Sequence, residues 1–290
     1  MQATRNRVLR QAIAKGIIQL PGAFNALAAR AIQRAGFEAV YISGAGLSNA
    51  VFGLPDVGLF TMTEAVTHAR TICAAVSVPV VVDGDTGFGE AVNAARTVTE
   101  LEAAGVSAVH FEDQVLPKEC GHLDGKELIT PQAMAEKLRA ACAARTDPDF
   151  MIIARTDARG VTSFDDAVDR ANRYLDAGAD AVFPEAMQSS DELAAFAQKV
   201  KAPLLANMTE FGKTPLLSLK ELERMGYRMV IYPQTALRVA FSAITAMLAD
   251  LKAKGDQIAW VPRMQTREAL YDLLDYDGLA KIDSAAIRRQ

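Results

Sequence analysis

The sequence predicts an α/β fold: a (β/α)8 barrel of the TIM type, with an N-terminal helix and a C-terminal helical extension. Eight short apolar runs recur along the 290 residues, each bounded by glycine, proline, aspartate or asparagine. Their continuous valine, isoleucine and leucine content is typical of strands buried on both faces of a parallel sheet. Eight strand–helix units close naturally into one barrel domain, which would span residues 1–290.

The first strand is predicted within "GIIQLPGAF", and seven more follow at similar spacing. The eight predicted strands occupy residues 16–24, 39–46, 78–87, 108–114, 150–158, 181–187, 202–210 and 229–235. A doubly wound open sheet is the alternative. It is disfavoured because "PGAFNAL", at the end of the first strand, is no dinucleotide-binding fingerprint.

Helices are predicted between the strands. Segments such as "EAVNAARTVTELEAAGV" place apolar residues at i, i+3, i+4 and i+7. Several end in Ala-Gly just before the next strand, which is typical of a glycine C-cap. Thr61 and Thr130 stand at the start of two others, where a threonine side chain caps the first turn.

The two ends of the chain depart from this alternation. "MQATRNRVLRQAIAKG" is basic without a continuous apolar core, so we expect a short amphipathic helix and not a signal peptide. From about residue 256 the strand–helix alternation stops. Residues 256–290 are therefore predicted to form a helical extension.

Composition narrows the class of protein. Net charge is −4, from 31 basic and 35 acidic residues, which leaves no basic footprint for nucleic acid. No apolar run approaches the roughly 20 residues of a membrane span. Three cysteines are typical of a reducing compartment and not of a disulfide framework. We expect a soluble cytoplasmic protein that binds neither nucleic acid nor a membrane.

Polar residues stand at the C-terminal ends of most predicted strands. In a parallel barrel these ends meet on one face, where active sites are built. The residues at these ends are Ser43, Asp83, Asp85, Glu112, Arg155, Glu185, Asn207 and Thr209.

Asp83 and Asp85 are the candidate metal ligands. Two residues apart on a strand, they are expected to point to the same side. Their charges repel unless a cation or a shared proton intervenes. Hard oxygen ligands of this kind suit Mg²⁺ or Mn²⁺, and Glu112 would complete the shell through water. The alternative is that "DGDTG" is a turn whose aspartates cap a helix.

Cys120 lies in a charged loop, "PKECGHLDG", that Gly121 and Gly125 allow to hinge. Mobile loops often deliver a reactive side chain over a closed site. Lys118 or His122 would stabilise a thiolate there, and His122 is as good a candidate for orienting the loop as for proton transfer. The alternative is an incidental surface thiol.

Three further side chains belong to the candidate site. Arg155 is a permanent cation suited to a substrate carboxylate, or to an ion pair with Glu185. Tyr41 and Ser43 share a face of their strand, and Gly44 lets a backbone N–H approach a substrate oxygen. Tyr41 alternatively belongs to the core.

Read in order, "VDGDTGFG", "HFEDQ", "PKECGH", "ARTDA" and "FPEA" resemble the isocitrate lyase/phosphoenolpyruvate mutase superfamily, over nearly the whole chain. "LANMTEFGKTPL" and "MQTREALYDLLDY" are similar to its short bacterial 2-methylisocitrate lyase branch. The K-x-C-G-H element is typical of the carbon–carbon lyases, whereas the phosphonate-forming mutases have an Asn-containing loop there.

This resemblance implies Mg²⁺-dependent retro-Claisen cleavage of a tricarboxylate, 2-methylisocitrate, to pyruvate and succinate in the methylcitrate cycle of propionate catabolism. It implies a homotetramer in which a C-terminal helix packs on a neighbour. Cys120 would protonate the succinate carbanion, and Tyr41, activated by Arg155, would be the base. Asp83 and Asp85 would hold Mg²⁺, with Glu112 in its outer shell.

The resemblance also implies the remaining substrate contacts. Cys120 and Gly121 would close over the substrate, beside Arg155 and Glu185. The keto-acid half would be bound by Ser43, Gly44 and Ala45. The succinate half would be bound by Asn207, Met208, Thr209, Arg238 and Arg267.

Two positions depart from the family pattern. Glu119 stands where the loop usually has a basic residue, and an acid there disfavours a thiolate. Ala45 replaces a common glycine. Three alternatives stay open: a dimethylmalate- or oxaloacetate-type substrate, a phosphonate-type mutase, and an inactive barrel that serves as a binding module.

Overall fold

The protein is described by a computed structural model over residues 2–287, without the side chains of 2–4, 283–285 and 287. Its parallel strands are β1 (Ile18–Pro21), β2 (Val40–Ile42), β3 (Val80–Asp83), β4 (Ala108–Glu112), β5 (Met151–Thr156), β6 (Ala181–Pro184), β7 (Leu205–Asn207) and β8 (Met229–Tyr232). All eight predicted strands are present. Each is shorter than the apolar run that predicted it, because the run continues into the turn.

The strands form a ring. Hydrogen bonds order them as β2-β3-β4-β5-β6 and as β1-β8-β7. Parallel bridges from Gly22 to Tyr41 and from Val182 to Leu204 join the two sets on both sides. The predicted (β/α)8 barrel is therefore confirmed.

Apolar side chains fill the inside of the barrel. Leu20, Tyr41 and Phe183 are among those that pack there, with Leu9 and Ile13 of helix α1 (Gln2–Lys15) in the same cluster. The N-terminal helix thus contributes to this inner core, while larger apolar clusters lie between the strands and the outer helices. Burial of this continuous apolar surface is the main stabilising term for such a fold.

The helices follow the strands as predicted. They are α2 (Ala26–Arg34), α3 (Gly44–Leu47), α4 (Met62–Ala75), α5 (Ala91–Ala104), α6 (Pro131–Ala144), α7 (Ala158–Val161), α8 (Phe164–Asp176), α9 (Ser190–Lys199), α10 (Leu219–Met225) and α11 (Thr235–Lys254). Thr61 and Thr130 cap α4 and α6, and Gly105 ends α5 in the left-handed region. Within residues 2–287, no helix has the length and apolar character to cross a membrane.

The chain after β8 carries the predicted helical extension. Leu237 is the buried residue of the 20-residue α11. A 3₁₀ helix (Ile258–Arg263), α12 (Arg267–Leu273) and α13 (Tyr276–Ile287) follow. Large apolar side chains on these segments are exposed, including Val239, Phe241, Leu248, Ile258, Leu279 and Ile282. This surface suits a protein contact.

Candidate active site

A cavity of about 530 Å³ lies where the strands end. Most of the residues that the sequence proposed for the site line it. They are Tyr41, Ser43, Ala45, Asp83, Cys120, Gly121, His122, Arg155, Glu185, Asn207, Thr209 and Arg238. Asp85, Glu112 and Lys118 are buried beside them.

Asp83 and Asp85 converge on Gly44, although not through strand alternation. Strand β3 ends at Asp83, and Asp85 lies in the following turn with a φ of +45°. The Gly44 N–H donates to Asp83 Oδ2 at 3.0 Å, and the Asp85 N–H donates to Asp83 Oδ1 at 3.1 Å. A Cβ on Gly44 would lie 3.1 Å from an oxygen of each carboxylate, so glycine permits this close approach. The prediction that both aspartates lie on one strand was wrong, but the predicted convergence of their side chains is present.

Lys118 places its ammonium group in this acidic cluster. Its Nζ lies 2.9 Å from Asp85 Oδ1 and also pairs with Asp56. Burial would lower the pKa of Lys118, but Asp85, Glu112 and Asp56 outweigh burial and raise it well above its usual value. Lys118 therefore neutralises acidic side chains and does not pair with the Cys120 thiol.

Burial also changes the charge state of the acids. It raises the pKa of Asp85 to about 6 against the lowering effect of Lys118, and it raises the pKa of Glu112 well above its usual value. Burial would raise the pKa of Asp83 too, but His110, Lys118 and Arg155 together hold it below its usual value. Full ionisation of the three acids is thus disfavoured unless a cation in addition to Lys118 joins them.

The donors suit a hard divalent cation. Among residues 2–287, no three acidic, histidine or cysteine side chains form a ready-made metal cage. Both carboxylate oxygens of Glu112 are nevertheless buried without a hydrogen bond, and carboxylates of Asp83 and Asp85 face one point beside Gly44. Mg²⁺ commonly takes few protein carboxylates and fills its shell with water and substrate oxygens. The residues present therefore fit such a group.

Arg155 is the centre of the charge network. Its guanidinium lies 2.9 Å from Asp157 Oδ2, 3.2 Å from Glu112 Oε2 and 3.4 Å from Glu185 Oε2. It also stacks on the ring of Phe183, with its central carbon 5.2 Å from the ring centroid. The ion pair with Glu185 that the sequence suggested is present, and Arg155 still lines the cavity.

The Cys120 loop folds over the cavity. The Gln114 side chain holds it by donating to the Glu119 carbonyl at 3.0 Å and accepting from the Glu119 N–H at 2.9 Å. Cys120 lines the cavity, and burial raises the pKa of its thiol. The side chain is therefore a protonated thiol at neutral pH. A general acid must carry its proton, whereas a reactive thiolate must have lost it.

His122 orients the loop. Its Nδ1 accepts the Lys213 N–H at 2.9 Å, so in the neutral ring Nε2 carries the proton. Nε2 faces Glu185 Oε1 at 3.1 Å. Both ring nitrogens are occupied by protein partners, which favours the orienting role over proton transfer.

Tyr41 is buried and paired with a histidine. Its hydroxyl lies 2.8 Å from Nε2 of His110, which is itself fully buried. Burial, reinforced by Asp83, raises the pKa of Tyr41 well above its usual value, and Arg155 offsets only part of this. Burial lowers the pKa of His110 to about 4. Both side chains of the pair are therefore neutral at neutral pH. In the substrate-free protein Arg155 does not convert Tyr41 to a phenolate.

Two proposed substrate contacts lie elsewhere. The Met208 side chain packs in the core outside the barrel, and its Sδ accepts from the Leu217 N–H at 3.2 Å. Neighbouring residues on an extended segment point to opposite faces, so Asn207 and Thr209 line the cavity while Met208 does not. Arg267 begins α12, is exposed, and does not line the cavity of its own chain.

Three polar residues that line the cavity were not predicted from the sequence: Asn49, Asp56 and Gln234. Asn49 and Asp56 lie in the long connection after β2, in "LSNAVFGLPD", with no strand-end signal. Gln234 directly precedes α11, and its position just past the end of β8 was the available signal.

Comparison with known proteins decides the family. The family described as phosphoenolpyruvate phosphomutase matches residues 9–252, which is most of the chain. The chain belongs to this family. Membership confirms the isocitrate lyase/phosphoenolpyruvate mutase superfamily that the motifs predicted.

Relatives within the phosphoenolpyruvate phosphomutase family include named lyases. A probable 2-methylisocitrate lyase 2 of Corynebacterium glutamicum is 53% identical over 280 residues, covering 96% of this chain and 91% of the relative. A 2,3-dimethylmalate lyase of Eubacterium barkeri is 45% identical and covers 92% of each chain.

Solved structures of the family agree with the fold. An oxaloacetate acetylhydrolase in complex with 3,3-difluorooxalacetate has a TM-score of 0.92 and 30% identity, over 98% of this chain and 97% of that one. A phosphonopyruvate hydrolase in complex with oxalate and Mg²⁺ has a TM-score of 0.87 and 30% identity, over 97% and 98%.

Proposed function

We propose that this protein is a Mg²⁺-dependent carbon–carbon lyase that cleaves 2-methylisocitrate to pyruvate and succinate. The observation that carries the proposal is that the Cys120 thiol, whose pKa burial raises, lines the same cavity as Arg155 and the Asp83 carboxylate. The high identity to the Corynebacterium glutamicum relative supports the substrate.

The metal would be held at Asp83 and Asp85, with Glu112 behind them. When bound, Mg²⁺, or Mn²⁺ in its place, would stabilise negative charge on the pyruvate half of the substrate. Lys118 would balance the remaining acidic charge, because its ammonium is buried against Asp85 and Asp56.

The cavity offers separate partners for the two halves of the substrate. Ser43, Gly44 and Ala45 would bind the keto-acid half, whose carboxylate the Arg155 guanidinium would neutralise. The succinate half would lie against Asn207, Thr209 and Arg238, which line the cavity.

Two proton transfers complete the reaction. The Cys120 thiol would donate its proton to the succinate carbanion, and the closed loop would exclude water that competes with it. Tyr41 is our candidate for the base. Burial disfavours its phenolate, so Tyr41 would take the hydroxyl proton of the substrate while it passes its own proton to Nε2 of His110, 2.8 Å away.

Arg267 and the C-terminal extension enter the proposal through assembly. The exposed apolar side chains of α11 to α13 would pack on a neighbouring subunit of a homotetramer, and Arg267 would reach substrate only in that assembly. A cytoplasmic location would keep the free thiols of Cys73, Cys120 and Cys142 reduced.

A 2,3-dimethylmalate-type substrate is the second candidate. It is favoured by the Eubacterium barkeri relative. It lacks the third carboxylate of 2-methylisocitrate, which Arg238 in the cavity lining would bind. We therefore rank it below 2-methylisocitrate.

A coupled assay distinguishes the two candidates. Purified protein with Mg²⁺ is given 2-methylisocitrate or 2,3-dimethylmalate, and pyruvate or propionate is measured, with isocitrate as a control substrate. Fast pyruvate release from 2-methylisocitrate supports the proposal. Propionate release from dimethylmalate alone would replace it with the second candidate.

A further inference from the structure

Lys126 is a buried cation that the proposed chemistry does not use. Its side chain is 1% exposed, and its Nζ lies 2.9 Å from Oδ1 of the fully buried Asp157. The same ammonium donates to the backbone carbonyl of Gly121, the residue that follows Cys120. A lysine from the end of the Cys120 loop therefore ties the tip of that loop to Asp157, the residue that follows strand β5.

Asp157 binds two buried cations. The Arg155 guanidinium donates to both carboxylate oxygens of Asp157, from Nε at 2.9 Å and from Nη2 at 3.1 Å, but it also faces Glu112 and Glu185. Lys126 therefore adds positive charge to an acidic cluster. It also binds a backbone group of the loop, the Gly121 carbonyl, and through that contact it links the cluster to the loop.

The anchor on the barrel side is rigid. The Asp157 N–H donates to Asp113 Oδ1 at 2.9 Å, and Asp113 accepts further hydrogen bonds from Thr156 at 2.8 Å and Tyr174 at 2.7 Å. All of these groups are fully buried. Movement at this joint must therefore come from the loop.

Gly160 leaves room for the ammonium group. A Cβ built there would lie 3.1 Å from Lys126 Nζ, which is tighter than most real contacts, so the ammonium would have to shift by a few tenths of an ångström. Gly160 has no left-handed backbone to explain the glycine, because it is not among the positive-φ residues. Its missing side chain makes space for Lys126.

We infer that Lys126 and Asp157 are positioning residues that clamp the Cys120 loop in its closed form. Asp157 orients the Arg155 guanidinium directly and holds Gly121 through Lys126. One carboxylate therefore fixes the position of both Arg155 and the loop that carries Cys120. The catalytic consequence rests on the proposed lyase function, whereas the clamp itself does not.

Alkylation of Cys120 measures loop opening without any substrate. The full-length protein is treated with iodoacetamide, and modification of Cys120 and Cys142 is followed by mass spectrometry. In Lys126→Met we expect Cys120 to react at least about tenfold faster, because a charge-assisted hydrogen bond to the loop is lost. Loss of a positive charge by itself would slow alkylation, so faster reaction reports opening.

Asp124→Asn is the matched control. Asp124 is an exposed residue of the Cys120 loop, and this substitution removes its ion pair with Lys213. We expect Cys120 to react within about twofold of the wild-type rate. Cys142 is the internal reference, because general loosening of the fold would speed its modification as well.

The inference is overturned if Lys126→Met leaves the Cys120 rate unchanged, or accelerates Cys142 equally. If Lys126→Met does not fold, Lys126→Gln decides, since its shorter, neutral side chain keeps a polar group beside Asp157 and removes the charged contact to Gly121. Faster Cys120 alkylation is expected there too, and an unchanged rate refutes the clamp. A wild-type protein inert towards 2-methylisocitrate would refute the proposed function while leaving the alkylation result standing.

Discussion

Gly121→Ala tests how tightly the Cys120 loop must close. A Cβ at this position would lie 2.4 Å from Arg155 Nη2 and 2.7 Å from Glu185 Cγ. Comfortable non-bonded contact begins near ~3.5 Å, so the loop and these side chains must separate by about 1 Å. A displacement of about 1 Å in a catalytic site costs on the order of 100-fold in rate. We therefore expect kcat/KM to fall about 100-fold.

The assay is pyruvate release from 2-methylisocitrate, coupled to lactate dehydrogenase, with thermal unfolding as the check on folding. Gly16→Ala is the control, because Gly16 has no left-handed backbone and the nearest atom to its Cβ position, Glu223 Oε1, lies at an ordinary contact distance of 3.7 Å. A folded Gly121→Ala protein with activity within about fivefold of wild type would refute the reasoning, since a 1 Å shift predicts a far larger loss.

Three further predictions concern the acid, the metal and the fold. Cys120→Ala is expected to lower kcat by about 100-fold or more, as loss of a general acid does; turnover within a few-fold of wild type would exclude the role. Because Asp85, with its pKa raised to about 6, is protonated below that pH, calorimetry should show Mg²⁺ affinity falling about tenfold from pH 7 to pH 5. A chelator should abolish activity and added Mg²⁺ restore it; pH-independent binding would contradict the ligand assignment. Tyr174→Phe removes a hydrogen bond to buried Asp113 and should lower the free energy of unfolding in urea by about 1–3 kcal/mol, and no loss would contradict that network.

The strand ends explain why much of the site was predictable. Parallel strands bring their carboxyl ends to one face, so Ser43, Asp83, Arg155 and Glu185 meet there whatever the details of packing. Met208 shows the limit of this rule. Its place in a motif suggested a substrate contact, but its position between two cavity-lining residues turns its side chain into the outer core.

Loops were the less predictable part. Asp56 does not stand directly at a strand end, but the long connection after β2 brings it to the Lys118 ammonium. The raised pKa of Tyr41 was likewise not predictable from the sequence, because it depends on how deeply the surrounding residues bury the side chain.

The sequence by itself determined the barrel, its N-terminal helix, the helical C-terminal extension, the family and most of the residues on the catalytic face. Those features follow from local apolar periodicity, capping and motif order, which are properties of neighbouring residues. Only the tertiary structure decided that Lys118 pairs with Asp85 and Asp56, that Cys120 is a half-buried thiol, and that Lys126 joins Asp157 to Gly121. These depend on burial and on distances between residues far apart in the chain, and it is burial and distance that set the strength of a charge interaction.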